Sequence, residues 1–428
     1  MTYYRRAANR SVQLYAYDSA LEYTDRILAL LQKLPSTADR IKQQIDAWFN
    51  RADILIVTEG WTYAERRHAL EQARRLAEQA DADVQLFHIL MSLHGYYENA
   101  GMQQANYQVC EEGIALAERL QDQALLSRAY CSMGDCHIQG GAYLASLDCF
   151  RKAERSREGL WLGRRAYCMI VETLWACGYP DQASAMANEI LRTVDAQTDP
   201  FDQIHAREFS SYVYQRMGDL EAMMRTRSEM VELSARYGFP DYVLVSQFML
   251  GWAMAMTREE AGLYQMYTAL NDLGSDDMFS LPYFLTLYAE AQGKFGQVEQ
   301  ALDTLARAED VIAQTEIHAW DAEVLRLTGD LRLQLGRADS DAESCYRLAM
   351  DISRQQGARS LELRAATSMA RLWQRQGRHR EAHALLSEIY DWFTEGFDTP
   401  TCRPPALCWL NSTPISPDLP SNPSLHDP

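Results

Sequence analysis

A glycine that recurs about every 40 residues constrains the fold of this 428-residue chain more than any other feature. Each of these glycines is followed by a few polar residues, then a small residue that is usually alanine, then apolar residues at helical spacing. The glycines are Gly141, Gly178, Gly218, Gly296, Gly336 and Gly377. A repeat of this length predicts one helical hairpin per unit, in which the glycine ends the first helix at positive φ.

The residues that follow each glycine predict how the hairpins pack. Alanine is expected where the two helices of a unit come closest, as at Ala183, Ala301, Ala342 and Ala382. A larger residue four positions further on, such as Tyr346, is expected to pack against the next unit. Because a single helical hairpin cannot bury both of its faces, the units are predicted to stack into a solenoid.

Proline divides the chain into two parts of different character. Eight of the 13 prolines fall within residues 400–428, in the run PTCRPPALCWLNSTPISPDLPSNPSLHDP. The few earlier prolines lie between runs rich in alanine, leucine, glutamate, glutamine and arginine, which favour helix. We therefore predict a helical solenoid over residues 1–397 and a disordered tail over residues 398–428.

The best-formed unit, SRAYCSMGDCHIQGGAYLASLDCFRKA at residues 127–153, resembles a tetratricopeptide repeat (TPR). The residues on or chemically near the positions favoured by that motif are Tyr130, Met133, Gly134, His137, Gly141, Tyr143, Phe150 and Ala153. The resemblance implies an all-α, right-handed superhelical solenoid, here of about nine antiparallel helix pairs. Because the units exceed the usual TPR length of about 34 residues, longer helices are expected.

Most of the chain, about residues 3–399, is also similar to the C-terminal repeats of large bacterial signalling proteins. The runs that carry this resemblance are GWAMAMTREEAG, PYFLTLYAEAQGKFGQVEQAL and SLELRAATSMARLWQRQGRHREAHALLSEIYDWFTEGFDT. Those proteins place an AAA-type or STAND-type ATPase before the repeats, and a cyclase or DNA-binding effector before the ATPase. The resemblance implies a regulatory arm without a cofactor or catalytic residue of its own.

The charge of the chain restricts its partners. A formal net charge of −18 and a pI near 5.0 argue against nucleic acid and against an anionic membrane surface, both of which attract lysine and arginine. Basic or neutral protein partners are expected instead. No signal peptide and no long apolar run is visible, so we expect a cytoplasmic protein that does not enter a membrane.

Soft metal-ligand residues cluster in AYCSMGDCHIQGG and just beyond it, as Cys131, Cys136, His137 and Cys149. On a helix, Cys131 and Cys136 would point about 140° apart. Zinc sites prefer cysteine pairs that are closer in sequence, and the chain has no CxxC motif. Since cysteine also packs as a small apolar residue, we expect these cysteines to be structural, with no metal and no cofactor.

Motifs of catalysis are not recognisable in the sequence. His379 and His383 lie four residues apart in HREAH, which lacks the HExxH order and is expected at the surface. Residues 291–297, AQGKFGQ, lack the GxxxxGK[ST] pattern of a phosphate-binding loop, and no GxSxG occurs. We therefore expect no enzymatic activity.

The tryptophans are the best candidates for binding anchors. Most are expected to fill space between helices, and a few to line the concave groove. They are Trp48, Trp61, Trp161, Trp175, Trp252, Trp320, Trp373 and Trp392. Asp135 stands where the carboxylate clamp of chaperone-binding TPR proteins has asparagine, so that clamp is not expected.

Two functional readings remain open at this point. In the first, the chain is a scaffold whose concave groove binds a peptide, a helix or a partner domain. In the second, it is the sensory arm of an ATP-dependent signalling protein and contacts an AAA-type or STAND-type ATPase module. A free-standing enzyme is a third and poorer reading, because no catalytic motif supports it.

Overall fold

The structure is a computed structural model that describes residues 2–35, 37–155, 168–194, 199–273 and 280–403. Within these ranges every regular element is helical. The twenty α-helices there are α1 (Thr2–Gln13), α2 (Tyr17–Gln32), α3 (Ala38–Glu59), α4 (Ala64–Gln79), α5 (Asp83–Asn99), α6 (Gln103–Leu120), α7 (Gln123–Gln139), α8 (Tyr143–Arg155), α9 (Ile170–Ala176), α10 (Pro180–Thr193), α11 (Pro200–Met217), α12 (Leu220–Tyr237), α13 (Pro240–Met256), α14 (Glu260–Leu273), α15 (Leu281–Lys294), α16 (Val298–Thr315), α17 (Asp321–Gln334), α18 (Asp339–Gln356), α19 (Arg359–Arg375) and α20 (His379–Tyr390). A 3₁₀ turn, His318–Trp320, precedes α17.

Each odd-numbered helix packs against the next helix to form a hairpin, and each hairpin packs against its neighbours. The described ranges therefore hold ten helix pairs, close to the nine expected. One large apolar core runs from Cys131 to Cys402, and a second runs from Ile45 to Ala129. Serial packing of this kind is typical of a solenoid, and the predicted all-α solenoid is confirmed.

The glycines of the repeat all adopt the left-handed conformation that the turn requires. Their φ angles range from 69° at Gly336 to 93° at Gly178. The small residues after them are completely buried, as at Ala183, Ala301 and Ala342. Alanine at these positions lets the two helices of a hairpin approach closely.

The large residues of the repeat fill the space between helices. Tyr346 and Phe150 are fully buried, as are Ala153 and Ala382. A Cβ atom on Gly134 would lie 3.0 Å from the Phe150 ring, so glycine there lets α7 and α8 pack closely. Tyr130 is half-buried, with the Lys152 ammonium 5.6 Å from its ring centre.

The last repeats pack back against the middle of the chain. The Tyr143 hydroxyl donates a hydrogen bond to the Ala319 carbonyl over 3.0 Å, and the Ser360 hydroxyl donates one to the Trp175 carbonyl over 2.6 Å. Glu395 accepts hydrogen bonds from the backbone N–H of Asp181, which lies 214 residues earlier in the sequence. We call this set of contacts, between residues 141–218 and 318–400, the seam.

The seam includes the first residues of the predicted tail. Pro400 lies against Gly218, and Thr399 and Cys402 are buried. The Thr399 hydroxyl also donates a hydrogen bond to the Gly396 carbonyl over 2.7 Å. Packed structure thus continues to residue 403, beyond the predicted boundary at residue 397, and residues 404–428 lie outside the described residues.

The N-terminal repeats also contact the middle of the chain, through aromatic rings. The rings of Trp61 and Phe201 stack with centres 5.8 Å apart, and those of Tyr15 and Tyr237 lie 5.1 Å apart. Across the part of the chain that the structure describes, no helix is both long enough and apolar enough to cross a membrane.

Candidate binding groove

The first helices of six successive pairs converge on one cavity of about 270 Å³, which we call the central groove. The 3₁₀ turn contributes Trp320 to its wall, and Pro400 of the seam borders it. One lining side chain from each of the six helices is Trp175, Arg216, Trp252, Tyr283, Glu323 and Arg364. Because consecutive repeats present equivalent helices to the same side, residues far apart in sequence meet here.

Arg216 lies at the centre of an aromatic cage. Its side chain is 4% exposed, and its Nη2 atom lies 2.9 Å from Glu172 Oε1. The guanidinium carbon lies 4.9 Å from the Trp175 ring centre, 5.0 Å from Trp320 and 5.3 Å from Tyr283, within cation–π range. Arg216 Nη1 is buried and has no hydrogen-bond partner among the described residues, which is uncommon for a charged donor.

The aromatic rings of the cage support one another. Tyr283 and Trp320 have ring centres 4.6 Å apart, and Tyr212 meets Tyr283 edge-on at 5.3 Å. Burial raises the pKa of Tyr283 to about 12, so its phenol stays neutral, and its hydroxyl donates to Gln215 Oε1 over 3.2 Å. Fixed rings of this kind offer apolar contact area with little loss of conformational entropy on binding.

A second charged network lies along the same groove. Glu323 Oε1 is 2.7 Å from Arg326 Nη2 and 2.6 Å from Arg364 Nη2. Burial raises the pKa of Glu323, but the two guanidinium groups outweigh this effect and bring the pKa to about 2. Glu323 is therefore ionised at neutral pH, and the charges on this wall of the groove are already paired.

The predicted tryptophan anchors divide between groove and packing positions. Trp175, Trp252 and Trp320 line the central groove, where Trp252 Nε1 donates to Glu290 Oε2 over 3.2 Å. The other described tryptophans pack against His68, Phe201, Arg378 and Tyr179; they are Trp48, Trp61, Trp373 and Trp392. Trp161 lies outside the described residues.

The sequence did not indicate Arg216 as a groove residue. It lies at the end of α11, in a run with no motif, and only the superhelical arrangement brings it to Trp320. An arginine two residues before a repeat glycine is the only local signal. Its significance depends on partners that come from other repeats.

The structure separates the predicted soft-ligand residues. Cys131 is buried in the large core, whereas Cys136 turns toward Cys110, with the two Sγ atoms 3.7 Å apart. His137 shares a hydrogen bond of 2.6 Å with the Tyr107 hydroxyl. Cys149 packs in the same small apolar cluster as Cys136.

Cys136 instead belongs to a buried group that the sequence analysis missed. Cys110 Sγ lies 3.6 Å from His94 Nδ1, and Asp135 Oδ2 lies 3.8 Å from His94 Nε2. We call His94, Cys110 and Cys136 the soft cluster. Its members come from α5, α6 and α7 and are separated by 16 and 26 residues, spacings that no short motif includes.

The soft cluster has unusual proton affinities. Burial raises the pKa of Cys110, but a hydrogen bond from Cys136 and the charge of His94 outweigh it and lower the pKa to about 6. Burial lowers the pKa of His94, but Cys110 and Asp135 outweigh this and raise it well above its usual value. A thiolate on Cys110 and an imidazolium on His94 would each stabilise the charge of the other.

In the part of the chain that the structure describes, the histidines of HREAH belong to no cluster of possible metal ligands. His379 is exposed, and His383 is half-buried with its Nδ1 atom 3.3 Å from the Ser387 hydroxyl. Among the described residues, the groups of three possible metal ligands that lie close together all include His94.

Comparison of the sequence with known proteins gives a partial match. No family model matches the chain. An uncharacterized protein of Rhizobium meliloti (strain 1021) is 24% identical over 204 residues, which are 47% of this chain and 20% of that protein. The chain thus spans about one fifth of the length of this relative.

Among solved structures, a Rap protein complexed with Competence and Sporulation Factor has a TM-score of 0.59 and 12% identity, and the match covers 83% of this chain and 98% of the Rap chain. A STAND protein with a tetratricopeptide repeat sensor, from Pyrococcus horikoshii, has a TM-score of 0.45 and 10% identity over 82% of this chain and 53% of that chain. The fold of the chain is a TPR-like helical solenoid.

Proposed function

We propose that this chain is a protein-interaction scaffold that binds a segment of a partner protein in the central groove. The observation that carries the proposal is Arg216, which is buried within an aromatic cage yet keeps the Nη1 donor without a partner among the described residues. The proposal includes no catalytic activity. It assigns binding to the helical solenoid, whose packed structure continues to residue 403, and a cytoplasmic location to the protein.

The chemistry of the groove defines the segment that fits it. An oxygen of the bound segment, from a carboxylate or a backbone carbonyl, would accept a hydrogen bond from Arg216 Nη1. An apolar side chain beside that oxygen would contact the rings of Trp252 and Trp320, which line the same cavity. At about 270 Å³, the cavity lies near the lower limit of ligand pockets, so it suits one anchoring side chain of a longer segment.

The likeness to the Rap protein adds support from the fold alone. That protein is complexed with Competence and Sporulation Factor, and its helical array matches most of this chain. A solenoid of this shape is therefore compatible with a bound factor.

Peptide selection tests the proposal directly, because it samples a very large number of candidate segments at once. A random peptide library displayed on phage is selected on the immobilised full-length chain, and the Kd of selected peptides is measured by fluorescence anisotropy. We expect Trp252→Leu to weaken binding about 30-fold, because it removes a central aromatic contact.

The matched control is Tyr264→Leu, which changes an aromatic residue that is 74% exposed on α14, outside the groove. We expect this variant to bind as the unchanged protein does, and far-ultraviolet circular dichroism to show equal helix content in both variants. Equal weakening by the two substitutions, or a selection that returns no binding peptide, would contradict the proposal.

The alternative, a sensory arm of an ATP-dependent signalling protein, has support from one comparison. The bacterial relative is much longer than the stretch it shares with this chain, so the similar sequence lies there within a larger protein. The alternative expects an AAA-type or STAND-type ATPase module encoded beside this chain to bind it and to change its rate of ATP hydrolysis. If the purified module neither binds the chain nor changes its rate, the alternative is excluded.

A further inference from the structure

We propose that the soft cluster is a binding site for one zinc-class metal ion. His94 on α5, Cys110 on α6 and Cys136 on α7 each direct a ligand atom toward the others, and these atoms lie within 4.8 Å of one another. All three residues are buried. The site would join two successive helix pairs, because α5 and α6 form one hairpin and α7 begins the next.

The distances between the ligand atoms fit a tetrahedral ion. With Zn–S bonds near 2.3 Å and Zn–N bonds near 2.0–2.1 Å, tetrahedral angles place two sulfurs about 3.8 Å apart and a sulfur and nitrogen about 3.6 Å apart. The structure has Cys110 Sγ and Cys136 Sγ at 3.7 Å, and Cys110 Sγ and His94 Nδ1 at 3.6 Å. An ion therefore needs little movement of these pairs in order to bind.

The second nitrogen of His94 has the partner that metal-bound histidine usually has. Nε2 faces Asp135 Oδ2 at 3.8 Å, and a carboxylate at this position orients the ring and strengthens its bond to the metal. Nδ1 lies 2.7 Å from Asn106 Oδ1. Metal binding would replace that contact and leave Asn106 Oδ1 as the nearest side-chain oxygen for the fourth coordination position.

The surroundings of the soft cluster are more polar than an apolar helix contact requires. Asn106, whose Oδ1 atom contacts His94, has a buried Nδ2 atom without a hydrogen-bond partner among the described residues. A second amide, Gln103 Nε2, donates to the Cys136 carbonyl over 2.8 Å. Buried polar atoms without a partner are uncommon and often mark a place for ordered water or an ion.

A cavity borders the His94 side of the soft cluster. His94 and Asp135 line a cavity of about 440 Å³ that also reaches Arg128 and Phe201. A bound ion would hold α7 against the preceding hairpin and thereby fix the angle between two repeats.

A purely apolar role explains Cys131 better than it explains Cys136. Both are buried on α7, but Cys131 lies in the large core, whereas Cys136 faces a second thiol and an imidazole. Thiolate and imidazole together favour zinc over magnesium or calcium. For Cys136, this proposal replaces the expectation from sequence that the residue is only structural, whereas Cys131 keeps that role.

Cobalt titration of the full-length chain tests the site. The protein is treated with a chelator under reducing conditions, titrated with Co²⁺ and then with Zn²⁺, and the metal content is measured after dialysis. We expect one ion per chain, intense visible bands of tetrahedral cobalt, and a thiolate-to-cobalt charge-transfer band that Zn²⁺ removes. Cys110→Ser and Cys136→Ser should each weaken the charge-transfer band and the affinity.

Cys131→Ser is the matched control, because it changes a buried thiol of the same helix outside the soft cluster. It should leave the stoichiometry and the spectrum unchanged. Asp135→Asn should keep the spectrum but lower the affinity about 10-fold to 100-fold, because it removes the carboxylate charge that lies 3.8 Å from His94 Nε2.

The unchanged protein decides the proposal even if a variant fails to fold. Three results would overturn it: no stoichiometric binding, a spectrum without the charge-transfer band, or folded Cys110→Ser and Cys136→Ser variants that bind the ion as tightly as the unchanged protein does. None of these results depends on peptide binding in the central groove.

Discussion

Gly178 and Gly336 occupy the same place in two repeats but have different surroundings. Each follows the first helix of its pair, with φ of 93° and 69°. A Cβ atom on Gly178 would lie 2.5 Å from the Trp392 ring and 3.1 Å from Arg359 Cβ, whereas one on Gly336 would meet nothing within 4 Å. Gly178 therefore serves both the turn and a close approach, and Gly336 serves the turn alone.

The other repeat glycines follow the same division. Gly141 and Gly218 lie against Gln356 and Pro400, whereas Gly296 and Gly377 have open space beside them. The first group lies in the seam and the second does not. One sequence pattern thus supports two structural roles, and the difference arises from residues more than 180 positions away.

The largest effect is expected for alanine at the two glycines first compared. Gly178→Ala should lower the free energy of unfolding by about 4 kcal/mol, since it combines an unfavourable φ with a clash in the seam. Gly336→Ala should lower it by only about 1 kcal/mol, from φ alone. Urea titration of both variants measures the difference. Equal unfolding midpoints would show that the seam contacts of Gly178 add nothing to the cost of the substitution.

The stability of the repeat that contains Gly336 is expected to depend on the charge of Glu323. This residue lies on α17, the helix that ends just before Gly336. Glu323→Gln should lower the free energy of unfolding by about 3 kcal/mol at neutral pH, because Arg326 and Arg364 would lose their buried partner. The folded pKa is about 2 and the ordinary value is 4.5. The stabilisation is therefore complete above pH 4.5 and is lost as pH falls toward 2.

Urea titrations of the unchanged protein and of Glu323→Gln, repeated from pH 7 to pH 2, measure this dependence. The difference between the two proteins should shrink across that window. Glu299→Gln, at an exposed position on α16, should show no such pH-dependent difference. A gap that stays constant down to pH 2 would contradict the assigned charge interaction.

A smaller effect is expected at a single hydrogen bond of the seam. Ser360→Ala should lower the free energy of unfolding by about 1.5 kcal/mol, since the Trp175 carbonyl would lose one of its two donors and keep only the Gly178 N–H. Ser353→Ala removes a hydroxyl that donates to the Ala349 carbonyl within its own helix, and should change stability by less than about 0.5 kcal/mol. Thermal unfolding of the pair checks this, and the reverse order would contradict it.

The smallest effect is expected at the exposed edge of the seam. Glu395 Oε1 accepts hydrogen bonds from the backbone N–H of Asp181 and Gln182, so it caps the start of α10 from a distant part of the chain. Glu395→Ala should lower stability by about 1 kcal/mol, and less at high salt. Glu388→Ala, at an exposed position on α20, is the control and should have no measurable effect in the same thermal unfolding experiment.

The sequence was sufficient to predict the local structure, because helix period and turn glycines are local properties. It was not sufficient for the seam, since the contact between Ser360 and Trp175 depends on small rotations accumulated over several repeats. Tryptophans were expected in the groove as a class, but neither Trp320 nor Arg216 was distinguished from the rest. His94 and Cys110 were missed because their meeting with Cys136 requires three helices to be placed first.

The contact of Pro400 with Gly218 has a mechanical consequence. An open solenoid stretches like a spring, because neighbouring coils separate without breaking contacts between distant ones. Here the last helix pairs are fastened to the middle of the array, so the repeats between them can separate only after the contacts at Gly178 and Gly218 are released. Under tension we expect the closed part of the array to show one initial force peak, when the seam contacts break. Extension of the separated repeats would follow at lower force.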